Sequence, residues 1–244
     1  MSTRGVVAVT GAGRGIGAGI ALELARRGFD VACLVRGSAP EAPAGSTGRL
    51  LTMSCDIRDP AAVAAALAAA DALPGGLVGV VNNAGIQIEG PARDFPLESF
   101  EAMLATNVIG TFSVARQSYP YLRARGGGLI VNIGSMWEKM GARRYAAYCA
   151  SKAAVSALGR CLAAEWARDG VRVLTVAPGY VDTPMTRAAL EDERVRAFLK
   201  SRVPMGRAAS IDEVARLVAS LFSEDIAILT GETLYIDGGH GIGQ

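Results

Sequence analysis

The sequence predicts an α/β protein: one doubly wound, mostly parallel seven-stranded sheet with helices on both faces. Three observations predict it. Seven short runs rich in β-branched residues are nearly continuous in hydrophobicity, as strands covered on both faces must be. Longer segments with helical periodicity stand between most of them, and such alternation with right-handed crossovers builds an open parallel sheet. The chain of 244 residues is 50% hydrophobic and shows no internal repeat or linker, so it can fill one large core.

In chain order, a first strand is expected over 6–10 and a first helix over 16–27, joined by a glycine-rich turn. Strands 30–35 and 50–53 follow, and the Gly-, Pro-, Ser- and Ala-rich segment 37–48 between them reads as a surface excursion. Asp59 as N-cap and Pro60 in the first turn open a helix over 60–73. A strand at 78–81 leads to a long helix over 99–125. Strand 129–133, helix 148–168 and strand 171–176 come next. Ser210 with Glu213 three residues on forms a capping box for helix 211–223, and strand 233–236 completes the sheet. The whole span 1–244 reads as a single domain, with a substrate lid over 184–204.

Charge and composition exclude several functions. The 25 basic and 23 acidic side chains leave a net charge of +2, with no stripe to attract nucleic acid or an anionic membrane. Cys33, Cys55, Cys149 and Cys161 form no CxxC pair and read as buried free thiols in a reducing compartment. One histidine, His240 near the C-terminus, excludes a His-rich metal site and a mid-chain Ser-His-Asp triad, so no metal is expected. No GxSxG elbow points to a hydrolase. The apolar start, 6–9, runs straight into glycines and is no secretory leader. The alanine-rich 61–73 stretch carries Asp71 and is too short to span a bilayer. A soluble cytoplasmic protein is expected.

The turn after the first strand reads Thr10-Gly11-Ala12-Gly13-Arg14-Gly15-Ile16-Gly17. Glycines there allow a tight strand-to-helix turn and let backbone N–H groups approach a pyrophosphate at the positive helix end. No GK[ST] lysine follows, so a dinucleotide fits better than a nucleoside triphosphate. Further on, Tyr148 and Lys152 stand at i and i+4 and share a helix face. A phenol titrates near ~10, and a neighbouring ammonium can bring it into use as an acid or base. None of the other five tyrosines has a lysine four residues on. Ser135, thirteen residues before Tyr148, can hold a substrate oxygen beside the phenol.

The Gly11, Gly15, Gly17 spacing resembles that of the short-chain dehydrogenase/reductase family, a Rossmann-type fold. The similarity extends over nearly the whole chain through Asn82-Asn83-Ala84-Gly85, Asn107, Ser135, Tyr148-Cys149-Ala150-Ser151-Lys152, Pro178-Gly179 with Thr183, and Asp237-Gly238-Gly239. The resemblance implies reversible hydride transfer between a nicotinamide and a carbonyl carbon. Tyr148 would protonate the alkoxide and Ser135 would hydrogen-bond it. Lys152 and a water on Asn107 would replenish the proton, and Lys152 would also donate to the coenzyme's ribose hydroxyls. It also implies Asn83 and Gly85 on the adenosine and ribose side, Asp56 accepting from the adenine amino group, and Val181 and Thr183 at the carboxamide. Ile57, Ala84, Pro178 and Gly179 complete the expected coenzyme contacts, and a homotetramer is implied, with 236–243 packing on a neighbour.

Coenzyme choice follows from the end of the second strand. NAD-binding sheets place a carboxylate there for the ribose 2′-OH; this chain has Val35 and then Arg36, while Asp30 lies at the other end. Arg36 with Arg14 of the glycine turn favours the 2′-phosphate of NADP(H). The substrate lining should come from 87–95, 136–145 and the lid. Met136 and Trp137 would form an apolar wall, and Glu138, Lys139, Arg143 and Arg144 would either meet charged ligands or be solvated. The pattern is most similar to 3-oxoacyl-(acyl-carrier-protein) reductases, which implies an acyl-thioester carbonyl substrate. Gly126 and Asp169, however, stand where that comparison expects basic residues. A small ketone, a sugar or a polyketide remain alternatives, as does a non-catalytic dinucleotide-binding scaffold.

Overall fold

The computed structural model describes residues 4–184, 186–224 and 226–242. Its strands are β1 (Val6–Thr10), β2 (Asp30–Val35), β3 (Leu50–Ser54), β4 (Leu77–Asn82), β5 (Gly128–Ile133), β6 (Val171–Pro178), the short β7 (Val181–Asp182) and β8 (Ala209–Ser210), and β9 (Thr233–Ile236). The helices are α1 (Gly15–Arg26), α2 (Pro60–Asp71), α3 (Leu97–Leu104), α4 (Thr111–Ala124), α5 (Ala146–Trp166), α6 (Arg187–Glu191), α7 (Glu193–Arg202) and α8 (Ile211–Ser223). Seven strands form one sheet in the order β3-β2-β1-β4-β5-β6-β9, every described pairing parallel.

Alternate strand residues feed two cores. Val6 and Ala8 of β1 point to one face, with Ala32, Leu34, Val80 and Ile130, and pack under Val63 and Leu67 of α2, Val114 and Leu122 of α4 and Leu162 of α5. Val7 and Val9 point to the other face, with Val31, Cys33 and Val131, under Ile20 and Leu24 of α1 and Val218 of α8. The apolar runs therefore had to be continuous, because neither face of the sheet meets water. Asp59 caps α2 by accepting from the N–H groups of Ala61 (2.9 Å) and Ala62 (3.3 Å), and Ser210 and Glu213 close the expected capping box on α8.

Several elements differ from the sequence expectation. The long helix is one helical run from Leu97 to Ala124, but it is broken by a π turn at Ala105–Gly110 that carries Asn107. The lid segment contains α6 and α7 and is bracketed by the two-stranded ribbon β7–β8; position 185 lies outside the described residues, as does position 243 of the glycine-rich end. The thiols are not all buried: Cys33 and Cys55 are, whereas Cys149 is half-buried and Cys161 is exposed on α5. Among the described residues no helix is long and apolar enough to cross a membrane.

Candidate active site

The order of the sheet reverses between β1 and β4, and their C-terminal ends frame the crevice where open α/β sheets bind ligands. Thr10 sits at that point. Its buried hydroxyl oxygen accepts from the N–H groups of Asn83 (2.9 Å) and Ala84 (3.0 Å), tying the loop after β4 to the glycine turn. Asn83, expected on the adenosine and ribose side, donates from its amide nitrogen to the carbonyls of Thr10 (3.0 Å) and Gly11 (3.3 Å) and so braces the turn. Gly11 and Gly15 take φ of +65° and +57°, and a side chain at Gly17 would strike the Asn83 amide and the Gly11 carbonyl. Gly17→Ala should therefore cost about 1–3 kcal/mol of stability by overpacking, read as a lower Tm together with weakened coenzyme binding.

The start of α1 fits a bound pyrophosphate. Arg14 at the N-cap is extended and makes no side-chain cap bond, and the first turn, which includes Gly15, Ile16 and Gly17, holds no acidic residue. Positive helix-end charge is thus left for an anion to cap. A Cβ at Gly13 would stand 2.9 Å from the Ser38 carbonyl, so the turn and the segment after β2 lie side by side. That brings exposed Arg14 and exposed Arg36 to the same rim. Asp30, at the far end of β2, is buried and bound by Arg49 (2.6 Å). Asp56 was expected to accept from adenine, yet both its oxygens are held by Arg58, at 3.1 Å from Nε and 2.6 Å from Nη2. That bonding, helped by the field of Arg36, holds its carboxyl down at about 2. Arg58, which sequence reasoning missed, neutralises this carboxylate near the Arg36 rim; only the bidentate spacing Asp-x-Arg could have revealed it. Ile57, next to Asp56, is buried against Gly110 of the π turn.

The catalytic candidates converge at the ends of β5 and α5. Ser135 caps a 3₁₀ turn, Met136–Glu138, by accepting from Trp137 N–H (3.3 Å), and its hydroxyl also reaches the Tyr148 phenol. Trp137 stands edge-on to the Tyr148 ring, centroids 6.0 Å apart. Buried Lys152 donates to the Ile133 carbonyl at 2.7 Å, with its ammonium 5.7 Å from the Tyr148 ring centroid. Burial pushes Tyr148 up to about 12, with the Ser135 hydroxyl opposing. Burial likewise pulls Lys152 down to about 8, opposed by the Glu138 carboxylate.

Asn107 lies directly behind. Its side-chain oxygen accepts from Ile86 N–H (2.8 Å), while its amide donates to the Ile86 carbonyl (2.9 Å) and to Ser151 Oγ (3.0 Å). The side chain is therefore committed to holding the loop after β4 against α5. A Cβ at Gly85 would lie 3.1 Å from the Asn107 oxygen and 3.8 Å from Lys152 Nζ, so this glycine keeps the approach to the lysine open.

On the β6 side, Gly179 N–H donates to Ile236 (3.0 Å), and a side chain on Gly179 would press on Asp237, so Pro178-Gly179 is locked against the end of β9. Val181 and Thr183, expected at a carboxamide, are partly engaged by a residue the sequence reading passed over. Thr186 donates to the Val181 carbonyl (2.6 Å), and its hydroxyl lies 3.0 Å from that of Thr183. Trp137 joins Tyr145 (4.5 Å) and Tyr180 (6.3 Å) in an aromatic wall that runs on to Phe198 of α7 and His240. Glu138 and Lys139 do not face a ligand: Glu138 turns inward to Ser156 and Tyr235, and Lys139 covers the Tyr235 ring.

Comparison with known proteins agrees with this architecture. A family model described as enoyl-(acyl carrier protein) reductase matches residues 11–241. D-threitol dehydrogenase of Mycolicibacterium smegmatis is 38% identical over 97% of this chain and 93% of its own. The 3-oxoacyl-(acyl-carrier-protein) reductase MabA of Mycobacterium tuberculosis is 37% identical over 98% and 93%. A gluconate 5-dehydrogenase from Burkholderia cenocepacia, solved in complex with NADP and tartrate, superposes with a TM-score of 0.90 at 30% identity, covering 99% of this chain and 97% of that one. The chain belongs to the short-chain dehydrogenase/reductase family and has its Rossmann-type fold. It is accordingly an oxidoreductase of the class that interconverts alcohols and carbonyls.

Proposed function

We propose that this protein is an NADP(H)-dependent carbonyl reductase or secondary-alcohol dehydrogenase acting from a single domain, with 184–204 as the lid over its substrate. The convergence of Ser135, Tyr148 and Lys152 on the loop after β4, which Thr10 ties to the glycine turn before the uncapped start of α1, carries the reading. Thr10, Gly11, Gly13, Arg14, Gly15, Ile16 and Gly17 would hold the pyrophosphate and its rim. Arg36 would take the 2′-phosphate, and Asp56, Ile57, Asn83, Ala84 and Gly85 the adenosine and ribose. Pro178, Gly179, Val181 and Thr183 would hold the carboxamide. Bound there, the nicotinamide supplies or accepts the hydride. The chain supplies the proton: the Tyr148 phenol, kept protonated by burial, gives it to the developing alkoxide while Ser135 holds that oxygen. Lys152 and a water held by Asn107 would restore it.

A small hydroxylated or ketonic substrate is favoured over an acyl chain on a carrier protein. Two of the three arginines that would greet an acidic carrier have local partners, Arg123 pairing with Asp169 (3.2 Å) and Arg125 donating to the Gly75 carbonyl, while Arg168 stands exposed. The polyol and sugar-acid names among the similar proteins support the same choice. A panel of polyols, sugar acids, cyclic ketones and 3-oxoacyl thioesters, followed by coenzyme absorbance, tests it; turnover confined to carrier-bound substrates would reverse the preference. We place the protein as a homotetramer in the cytoplasm. Ile109 and Phe112 stand exposed on the π turn and α4, an apolar face that suits a neighbouring copy. Light scattering should give four chains per particle at micromolar concentration, and a monomer there would refute the assembly.

A further inference from the structure

Glu138 is a half-buried carboxylate that the proposed chemistry leaves unused. It ends the 3₁₀ turn that starts from Ser135. Its Oε2 accepts from the Ser156 hydroxyl of α5 and its Oε1 from the Tyr235 hydroxyl of β9 (2.6 Å), and the Thr233 hydroxyl is a further partner. Tyr148, Lys152 and Ser156 stand at i, i+4 and i+8, so Glu138 joins their helix face one turn beyond Lys152, on the side away from Tyr148. The carboxylate and the lysine approach the same stretch of backbone. A Cβ at Gly134 would be 3.3 Å from Glu138 Oε2, and Lys152 donates to the preceding carbonyl, that of Ile133.

We propose that Glu138 is a positioning residue for the Ser135–Tyr148–Lys152 set: it ties the Ser135 turn to the helix of Tyr148 and Lys152 and to the C-terminal strand, and it places a negative charge behind Lys152. This rests on the reductase reading of the site. The surroundings suit the role. Burial pushes the carboxyl up, while Tyr235 and Thr233 of β9, Arg160 of α5 and Lys139 of its own turn act against that rise. Lys139 in turn stands 3.6 Å from the Tyr235 ring centroid, which keeps that side chain in place over the carboxylate's partner. For Lys152, burial disfavours the ammonium, and Glu138 works in the opposite direction.

The chain has three lysines, Lys139, Lys152 and Lys200, so ¹³C-lysine labelling of the whole protein gives a titration that single substitutions of Lys139 and Lys200 assign. In the wild type Lys152 should titrate at about 8. In Glu138→Gln it should titrate about one pH unit lower, as removal of one neighbouring charge predicts, and the alkaline limb of kcat/KM for carbonyl reduction should move with it. A folded Glu138→Gln whose Lys152 titrates as in the wild type overturns the proposal. Ser156→Ala keeps the charge and cuts the tether. Its Lys152 should titrate as in the wild type while kcat falls roughly tenfold at unchanged coenzyme affinity, the mark of displaced groups. If Glu138→Gln does not fold, a Ser156→Ala enzyme with wild-type kcat overturns the proposal by itself. A lysine shift without turnover of any carbonyl condemns the reductase reading and leaves the charge placement standing, whereas turnover without the shift condemns the proposal alone.

Discussion

Tyr148→Phe is expected to lower kcat for carbonyl reduction by at least about 10²–10⁴-fold, the usual loss of a positioned general acid, while coenzyme still binds. The ring itself should stay in place, because it packs edge-on against Trp137 and sits on α5, which is anchored by Lys152 to Ile133 and by Ser151 to Asn107. Only the phenolic oxygen is lost, and with it the partner of the Ser135 hydroxyl. Burial holds the phenol protonated far above neutral pH, so in the wild type the acid form is present throughout the working range. The group that titrates within that range is Lys152, at about 8: its ammonium is present below that value and lost above it. Reduction should therefore weaken as pH rises through about 8. Lys152→Ala should remove this limb and weaken coenzyme affinity as well, whereas Tyr148→Phe leaves affinity alone. Calorimetry with coenzyme beside steady-state turnover separates the two, and a Tyr148→Phe enzyme that keeps most of its kcat would move the proton donor elsewhere.

The wild type is expected to prefer NADPH to NADH in kcat/KM by roughly 10–150-fold, the worth of one charge-assisted hydrogen bond. Arg36→Ala should erode that ratio chiefly by losing NADPH efficiency. Arg14 and Arg36 share a rim with Asp56, whose charge is answered by the bidentate Arg58, so the rim stays positive. Asp30, which could have served a bare 2′-OH, is committed to Arg49 at the opposite end of the strand. Equal efficiency with both coenzymes would leave Arg14 and Arg36 as ordinary surface charges.

The sheet and its glycine turn were readable in the sequence because each rests on local chemistry. Apolar continuity marked all seven strands of the main sheet, and Asp59, Ser210 and Glu213 announced their helix starts. The π turn was not readable. Residues 105–110 have ordinary helical periodicity, and the irregular hydrogen bonding answers to the demand of Asn107 for Ile86 and Ser151 across the fold. The Tyr148–Lys152 spacing was plain from residue numbers, yet the direction of the lysine was not, since Ile133 is nineteen residues away on another element. The roles of Glu138 and Lys139 were misjudged for the same reason: a charged pair after a strand reads as solvated unless the returning strand β9, nearly a hundred residues later, is known to receive it. Cys161 reads as core from composition but falls on the outer face of α5.

The central claim is that this site moves a hydride to a carbonyl carbon. Incubating the enzyme with NADPH carrying deuterium on the transferable nicotinamide position, in the presence of the carbonyl panel, tests it most directly. The account predicts deuterium on the carbinol carbon of at least one product, with transfer lost in Tyr148→Phe. Coenzyme bound with full affinity but no deuterium delivered to any carbonyl would contradict it and mark the chain as a dinucleotide-binding scaffold.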